Sequence, residues 1–147
     1  FRVLKNDPLA RIKSANKLLH VLAKTEAEQG GYDEALLLNS DGEIAEATSG
    51  NIFWVEGNQV FTPPLDAGIL PGVTRSVVFD LCREAGIVCL ERSADLSVLQ
   101  RADAIFLTLS TLGIVEAVQL NETTPKGSGV VSRLFCLYRQ VLAGNQS

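Results

Sequence analysis

No methionine occurs in the 147 residues, and histidine occurs once, at His20. A single histidine with no cysteine or acidic partners spaced around it gives no metal-ligand set. Nor does it complete a Ser/His/Asp triad, so His20 reads as a packing or surface residue. The three cysteines, Cys82, Cys89 and Cys136, are odd in number, scattered and not in CxxC spacing. They point to buried, reduced thiols in a cytoplasmic protein rather than to a disulfide framework. No apolar run approaches the roughly 20 residues of a membrane span. No charged segment followed by an apolar one opens the chain as a secretory leader would. Thirteen Lys and Arg against 17 Asp and Glu leave a net charge of −4, a poor match for nucleic acid or an anionic membrane surface. Neither GxGxxG nor a Walker-type loop is present, and there is no internal repeat. The missing methionine and the opening Phe1-Arg-Val-Leu-Lys5 together read as a piece of something longer.

What is present suits one α+β domain. Hydrophobic residues make up 46% of the chain, enough to bury a core. Asn6-Asp-Pro8 is a turn signal in a leading segment, residues 1–12, that reads as a linker or the start of the domain. Leu18, Leu19, Val21, Leu22 and Ala23 predict a helix packed on one side, stopping at Gly30-Gly31. Short apolar runs at 33–39, 43–48, 51–56 and 59–62, separated by Ser40-Asp-Gly42 and Gly57-Asn58, predict an antiparallel meander ended by Pro63-Pro64. A helix is expected over 73–85, with Val73, Val77, Val78, Leu81 and Cys82 on one face and Gly86 as its stop. Further expectations are a strand at 87–92, a short helix at 95–100 capped by Asp95, strands at 104–109 and 113–120, and a terminal helix at 130–142 that frays at its end.

The chemistry concentrates in residues 42–75 together with Lys13. Lysines are mostly solvated. Lys13 nevertheless stands at a junction just before a helix, with Ile12 and Ala15 beside it, and a reactive amine needs burial or a cationic neighbour to depress its pKa. Glu46 lies between two alanines, directly before Thr48-Ser-Gly-Asn51. A strand carboxylate usually faces water; one facing a pyridine nitrogen would keep that nitrogen protonated. Pro71-Gly72-Val73-Thr74 opens a helix, whose first amides and dipole favour an anion. Thr74 adds a hydroxyl, although spacing alone favours its capping its own helix. Ser110-Thr111, at the end of a strand, is either an ordinary turn or a second set of donors. A lysine, a carboxylate and a phosphate cradle are what an enzyme using pyridoxal 5'-phosphate (PLP) needs.

Together these segments resemble the class IV aminotransferases, the fold-type IV PLP enzymes. The resemblance is carried by Ile12-Lys-Ser-Ala-Asn16, Glu46-Ala-Thr-Ser-Gly-Asn-Ile-Phe53 and Ile69-Leu-Pro-Gly-Val-Thr-Arg75, in that order. It implies the family's large C-terminal domain over residues 13–147, an antiparallel-rich β pseudo-barrel with flanking helices. It also implies a smaller N-terminal domain that this chain lacks, and a homodimer. Lys13 would bond the cofactor and later move protons, and Glu46 would bind the ring nitrogen. Leu70 would pack on the ring face. Val73 and Thr74 would bind the phosphate, with Ser110 and Thr111 beside them. The substrate would be a small amino compound. Similarities around Asn51-Ile-Phe-Trp54, Thr62-Pro63, Leu65 and Ala67-Gly68, and a glycine at position 113 where aminotransferases carry glutamate, favour aminodeoxychorismate lyase. A D-amino-acid or branched-chain aminotransferase is the alternative, and a non-catalytic dimerising or regulatory relative is an alternative of another class.

Overall fold

The computed structural model describes residues 1–15 and 17–145. Asn16 of the lysine segment and the terminal Gln146 and Ser147, part of the end expected to fray, lie outside the described residues. The strands are β1 (Arg2–Val3), β2 (Leu36–Asn39), β3 (Ile44–Ala47), β4 (Asn51–Glu56), β5 (Gln59–Thr62), β6 (Cys89–Glu91), β7 (Ala104–Leu109) and β8 (Gly113–Ala117). The helices are α1 (Leu18–Gln29), α2 (Val73–Ala85), α3 (Leu96–Arg101) and α4 (Gly129–Gly144), with 3-10 turns at Pro8–Arg11 and Leu65–Ala67. None of these helices is long and apolar enough to cross a membrane.

The strands form two sheets, in the order β1-β2-β3 and β6-β5-β4-β7-β8. Pairing is antiparallel except at β1–β2 and β5–β6. The fold is therefore mixed α+β and rich in antiparallel pairs, as the sequence predicts. The single meander is corrected: β3 does not pair with β4, whose second neighbour is β7. The break falls at Thr48-Ser-Gly50, where the amide of Ala47 bonds the carbonyl of Gly50 and the chain passes from one sheet to the other. The expected strands at 33–39, 87–92 and 113–120 form only over Leu36–Asn39, Cys89–Glu91 and Gly113–Ala117.

β4 is buried on both faces, which explains its unbroken apolar run, Ile52 to Val55. Phe53 and Val55 join Val78, Leu81, Cys82, Phe106, Val131 and Leu134 under α2 and α4. Phe53 and Phe106 stack there at 5.0 Å, worth about 0.5–1.5 kcal/mol beyond the area they bury. Ile52 and Trp54 face the other way, towards Ile44, Leu99 and Ile105. The five-stranded sheet is thus a middle layer, with α2 and α4 on one side and the three-stranded sheet and α3 on the other.

The short helix behaves as its sequence reads: the Asp95 carboxylate accepts the amide of Ser97 at 2.9 Å. The first helix does not. Of its expected apolar face only Ala23 is buried, while Leu18, Val21 and Leu22 are exposed. The inward stripe is His20, Ala23 and Ala27, spaced at three and four residues, and small alanines let a helix approach its neighbour closely. Cys136 is exposed rather than buried, with Cys82 buried and Cys89 between; all three are free thiols.

Candidate active site

A buried polar cluster lies where β3, β4 and the loop before α2 meet. Glu46 sits mid-strand in β3 and is only 7% exposed at its side chain. Its Oε2 accepts the backbone N–H of Leu70 at 3.0 Å, and its Oε1 lies 3.0 Å from His20 Nε2. Asn51, at the start of β4, is buried, and its Nδ2 donates to the carbonyl of Leu70 at 2.9 Å. One peptide segment is therefore held on both its N–H and its C=O, from two strands of two different sheets.

Two residues further on, that held loop becomes the start of α2. Its N-cap is Gly72, extended at φ −67° and ψ 144°, with no side chain to cap the helix. A Cβ at this glycine would overlap Asn51 Oδ1, so the close approach of loop to strand requires glycine. The amides of Val73 and Thr74 make no hydrogen bond to a described residue, leaving the helix's positive end unoccupied by its own chain. Thr74 does not cap the helix either; it is buried within the first turn. The Val73 side chain points to solvent, 81% exposed. The next residue belongs to the scaffold. Arg75 is buried, donates to the carbonyl of Pro63 at 3.1 Å and to Glu91 at 2.6 Å, and lies 5.0 Å from the Phe79 ring. Beneath this region in β7, Thr108 pairs in register with Asn51, and its buried Oγ1 has no partner among the described residues.

The remaining expected residues are placed more openly. Lys13 lies in irregular backbone between the 3-10 turn at Pro8–Arg11 and α1; it is exposed and makes no hydrogen bond or ion pair with a described residue. The burial that Ile12 and Ala15 led us to expect is corrected: Ile12 is itself 59% exposed, and among the described residues no element covers that stretch. Ser110 and Thr111 form the exposed turn between β7 and β8. Leu70 is partly exposed, with its backbone engaged as above.

The fold therefore brings Glu46, Leu70, Val73 and Thr74 into one continuous unit, to which Lys13, Ser110 and Thr111 make no hydrogen bond or ion pair among the described residues. Sequence reading missed two members of the unit. Asn51 was quoted only within a motif, although a buried asparagine opening an apolar strand is itself a signal of a required partner. His20 was read as packing or surface, and its position gave no sign of Glu46, 26 residues away.

These residues fit a flat, phosphorylated, basic-nitrogen ligand. The Leu70 segment joins the buried Glu46 carboxylate of β3 to the uncapped start of α2, and glycine at position 72 lets that segment lie close against Asn51. Comparison with known proteins agrees. A sequence model of the family described as amino-transferase class IV matches residues 1–120. A probable branched-chain-amino-acid aminotransferase of Synechocystis is 38% identical over 84% of this chain and 40% of its own length. The aminodeoxychorismate lyase of Bacillus subtilis is 32% identical over 88% of this chain and 45% of its own. The branched-chain amino acid aminotransferase of Thermobaculum terrenum, solved in its PLP form, superposes with a TM-score of 0.86 at 30% identity. That match covers 98% of this chain and 52% of the solved one. The chain thus spans about half the length of the relatives it matches.

Proposed function

The chain belongs to the class IV aminotransferase family, and from that premise we propose that it is the C-terminal, cofactor-binding part of a PLP-dependent enzyme. The observation that carries this reading is the Leu70 segment. It ties the buried Glu46 carboxylate of β3 to the uncapped start of α2, so that an acceptor for a ring N–H and a cradle for an anion are held together by one loop. Residues 1–12 lead into this part, and a smaller N-terminal domain completes the pocket.

When bound, PLP supplies an electron sink for the electron pair left after a substrate carbon gives up a proton. The chain's own residues do the rest. Glu46 accepts the N–H of the ring and holds that nitrogen protonated. The amides of Val73 and Thr74, with the Thr74 hydroxyl, receive the phosphate, and Ser110 and Thr111 add donors from the β7–β8 turn. The Leu70 side chain would lie against the ring. Lys13 would hold the cofactor through Nζ, and its amine, freed when the substrate's amino group takes its place, would take the proton from the carbon that bears that group. Its exposure here accords with a site closed by a further domain.

Within the family the first reading is 4-amino-4-deoxychorismate lyase, which releases pyruvate as its product becomes aromatic 4-aminobenzoate. Gly113 supports it: φ is +74°, and a Cβ there would overlap the Tyr138 ring. The position that bears glutamate in aminotransferases by resemblance accommodates no side chain here. The second reading is an amino-acid aminotransferase, in which Lys13 returns the proton to the cofactor. Its support is the 38% identity to a probable branched-chain enzyme.

The test is borohydride trapping with PLP and peptide mapping, followed by pyruvate-release and keto-acid-exchange assays on the full-length protein. Label confined to Lys13, with pyruvate released and no exchange, is expected. Exchange without pyruvate would select the aminotransferase. Absence of label at Lys13 in the full-length protein would overturn the PLP reading.

A further inference from the structure

The one histidine lies against the carboxylate on which the proposed site turns. His20 stands in the first turn of α1, on the same face as the buried Ala23. Its Nε2 is 3.0 Å from Glu46 Oε1, with side-chain exposures of 15% and 7% for the two residues. A carboxylate without a proton can only accept, and in that arrangement the hydrogen of this contact is carried on Nε2. Glu46 is thus gripped from two sides, by an imidazole of α1 on one oxygen and by the Leu70 amide on the other.

A glutamate side chain has three rotatable bonds and gains little from its own flanks, which are Ala45 and Ala47. Without these donors it would sample several rotamers, and ordering it would fall to the ligand. With them, the carboxylate plane is set before any ligand arrives. A carboxylate carries about four lone-pair sites; two are taken, and those left point away from α1 and from Leu70. The ring N–H of PLP has to come in along one of these.

We propose that His20 is a positioning residue, which fixes the Glu46 carboxylate from the α1 side in the orientation that receives the ring nitrogen of PLP. This rests on the reading of Glu46 given above. His20 touches neither substrate nor cofactor and acts only through Glu46.

The test uses the full-length protein with His20→Leu, which keeps bulk and loses the donor, and His20→Gln, whose amide reaches about as far as Nε2. Each is made alone and in a Glu46→Gln background, and urea unfolding verifies that each variant folds. The readouts are the PLP dissociation constant and the absorption maximum of bound PLP, together with the ring ¹⁵N–¹H signal of His20 in the protein without PLP. A hydrogen bond to a charged group sets the scale. His20→Leu is expected to weaken PLP binding about tenfold or more and to shift the absorption band, and His20→Gln to restore both. In the Glu46→Gln background His20→Leu should add nothing further. The His20 ring signal should move when Glu46 becomes glutamine, before any PLP is added. If Glu46→Gln weakens PLP binding and His20→Leu does not, the proposal is overturned while the reading of Glu46 stands. Equal losses from His20→Leu with and without the Glu46 carboxylate would also overturn it, since His20 would then act on folding alone. If Glu46→Gln leaves affinity and spectrum unchanged, both readings fall.

Discussion

Glu46 and Asn51 are buried and both bond the half-buried Leu70 peptide, from two different sheets, whereas Lys13, Ser110 and Thr111 stand in exposed backbone with no hydrogen bond or ion pair to that unit among the described residues. The contrast follows the work each set would do. A group that holds a ring nitrogen or a phosphate acts by staying still, and a rigid scaffold supplies that. An amine that binds a cofactor, lets it go and then carries a proton has to move, and it sits where this chain leaves it free. The buried set is finished by residues 20–75 alone; the exposed set is enclosed by no described element of the chain.

The comparison can be broken at its strongest point first. Phe106→Ala in the middle sheet opens a cavity between β7 and α2, and should cost about 3–5 kcal/mol of stability; urea unfolding measures it. If the loss is this large and PLP still binds the folded fraction normally, the site is independent of the core behind it. Asn51→Ala should cost about 1–3 kcal/mol, since it removes the buried side chain that bonds the Leu70 carbonyl, and it should weaken PLP binding as well. A stability loss with unchanged PLP affinity would show that the pinned loop is scaffold only. Gly72→Ala pushes a methyl into Asn51 Oδ1 and should cost about 1–3 kcal/mol, the same pin broken from the opposite side; its effect should be less than additive with Asn51→Ala. Lys13→Ala lies at the other extreme. It should abolish borohydride trapping of PLP while changing stability by no more than about 0.5 kcal/mol, and a larger stability change would contradict its exposed placement.

The smallest effect is one of pH, away from the site. The Asn39 amide, and then the Lys5 ammonium, hold the Glu43 carboxyl below the usual glutamate range. A carboxyl depressed in the folded state contributes stability above its ordinary value and loses it as pH falls through the folded one. Glu43→Gln should therefore lower stability slightly at neutral pH and leave it almost unchanged in strong acid, which flattens the acid side of the profile; urea unfolding across pH measures it.

Much of this was legible in the chain. Pro63-Pro64, Gly57-Asn58, Asp95 and Gly86 act locally, through φ limits, missing donors and caps, and the elements they bound formed close to where they were expected. The α2 cradle was legible for the same reason: a helix start is a local object. The α1 face was not, because Leu18, Val21 and Leu22 look inward by composition while the chain packs its alanines instead. The break in the meander was equally hidden, since β4 finds β7 some 50 residues away.

The sequence by itself determined the family, the α+β class, the helix that opens at Val73, and the candidates Lys13, Glu46 and Thr74, because motifs, caps and periodicity are short-range properties. Only the tertiary structure decided that Glu46 is gripped by His20 and Leu70, that Asn51 pins the loop, and that Lys13 stands in the open. Those are contacts between residues tens of positions apart. Which partners meet at such distances is set by how the two sheets and α1 pack, and no local pattern encodes that.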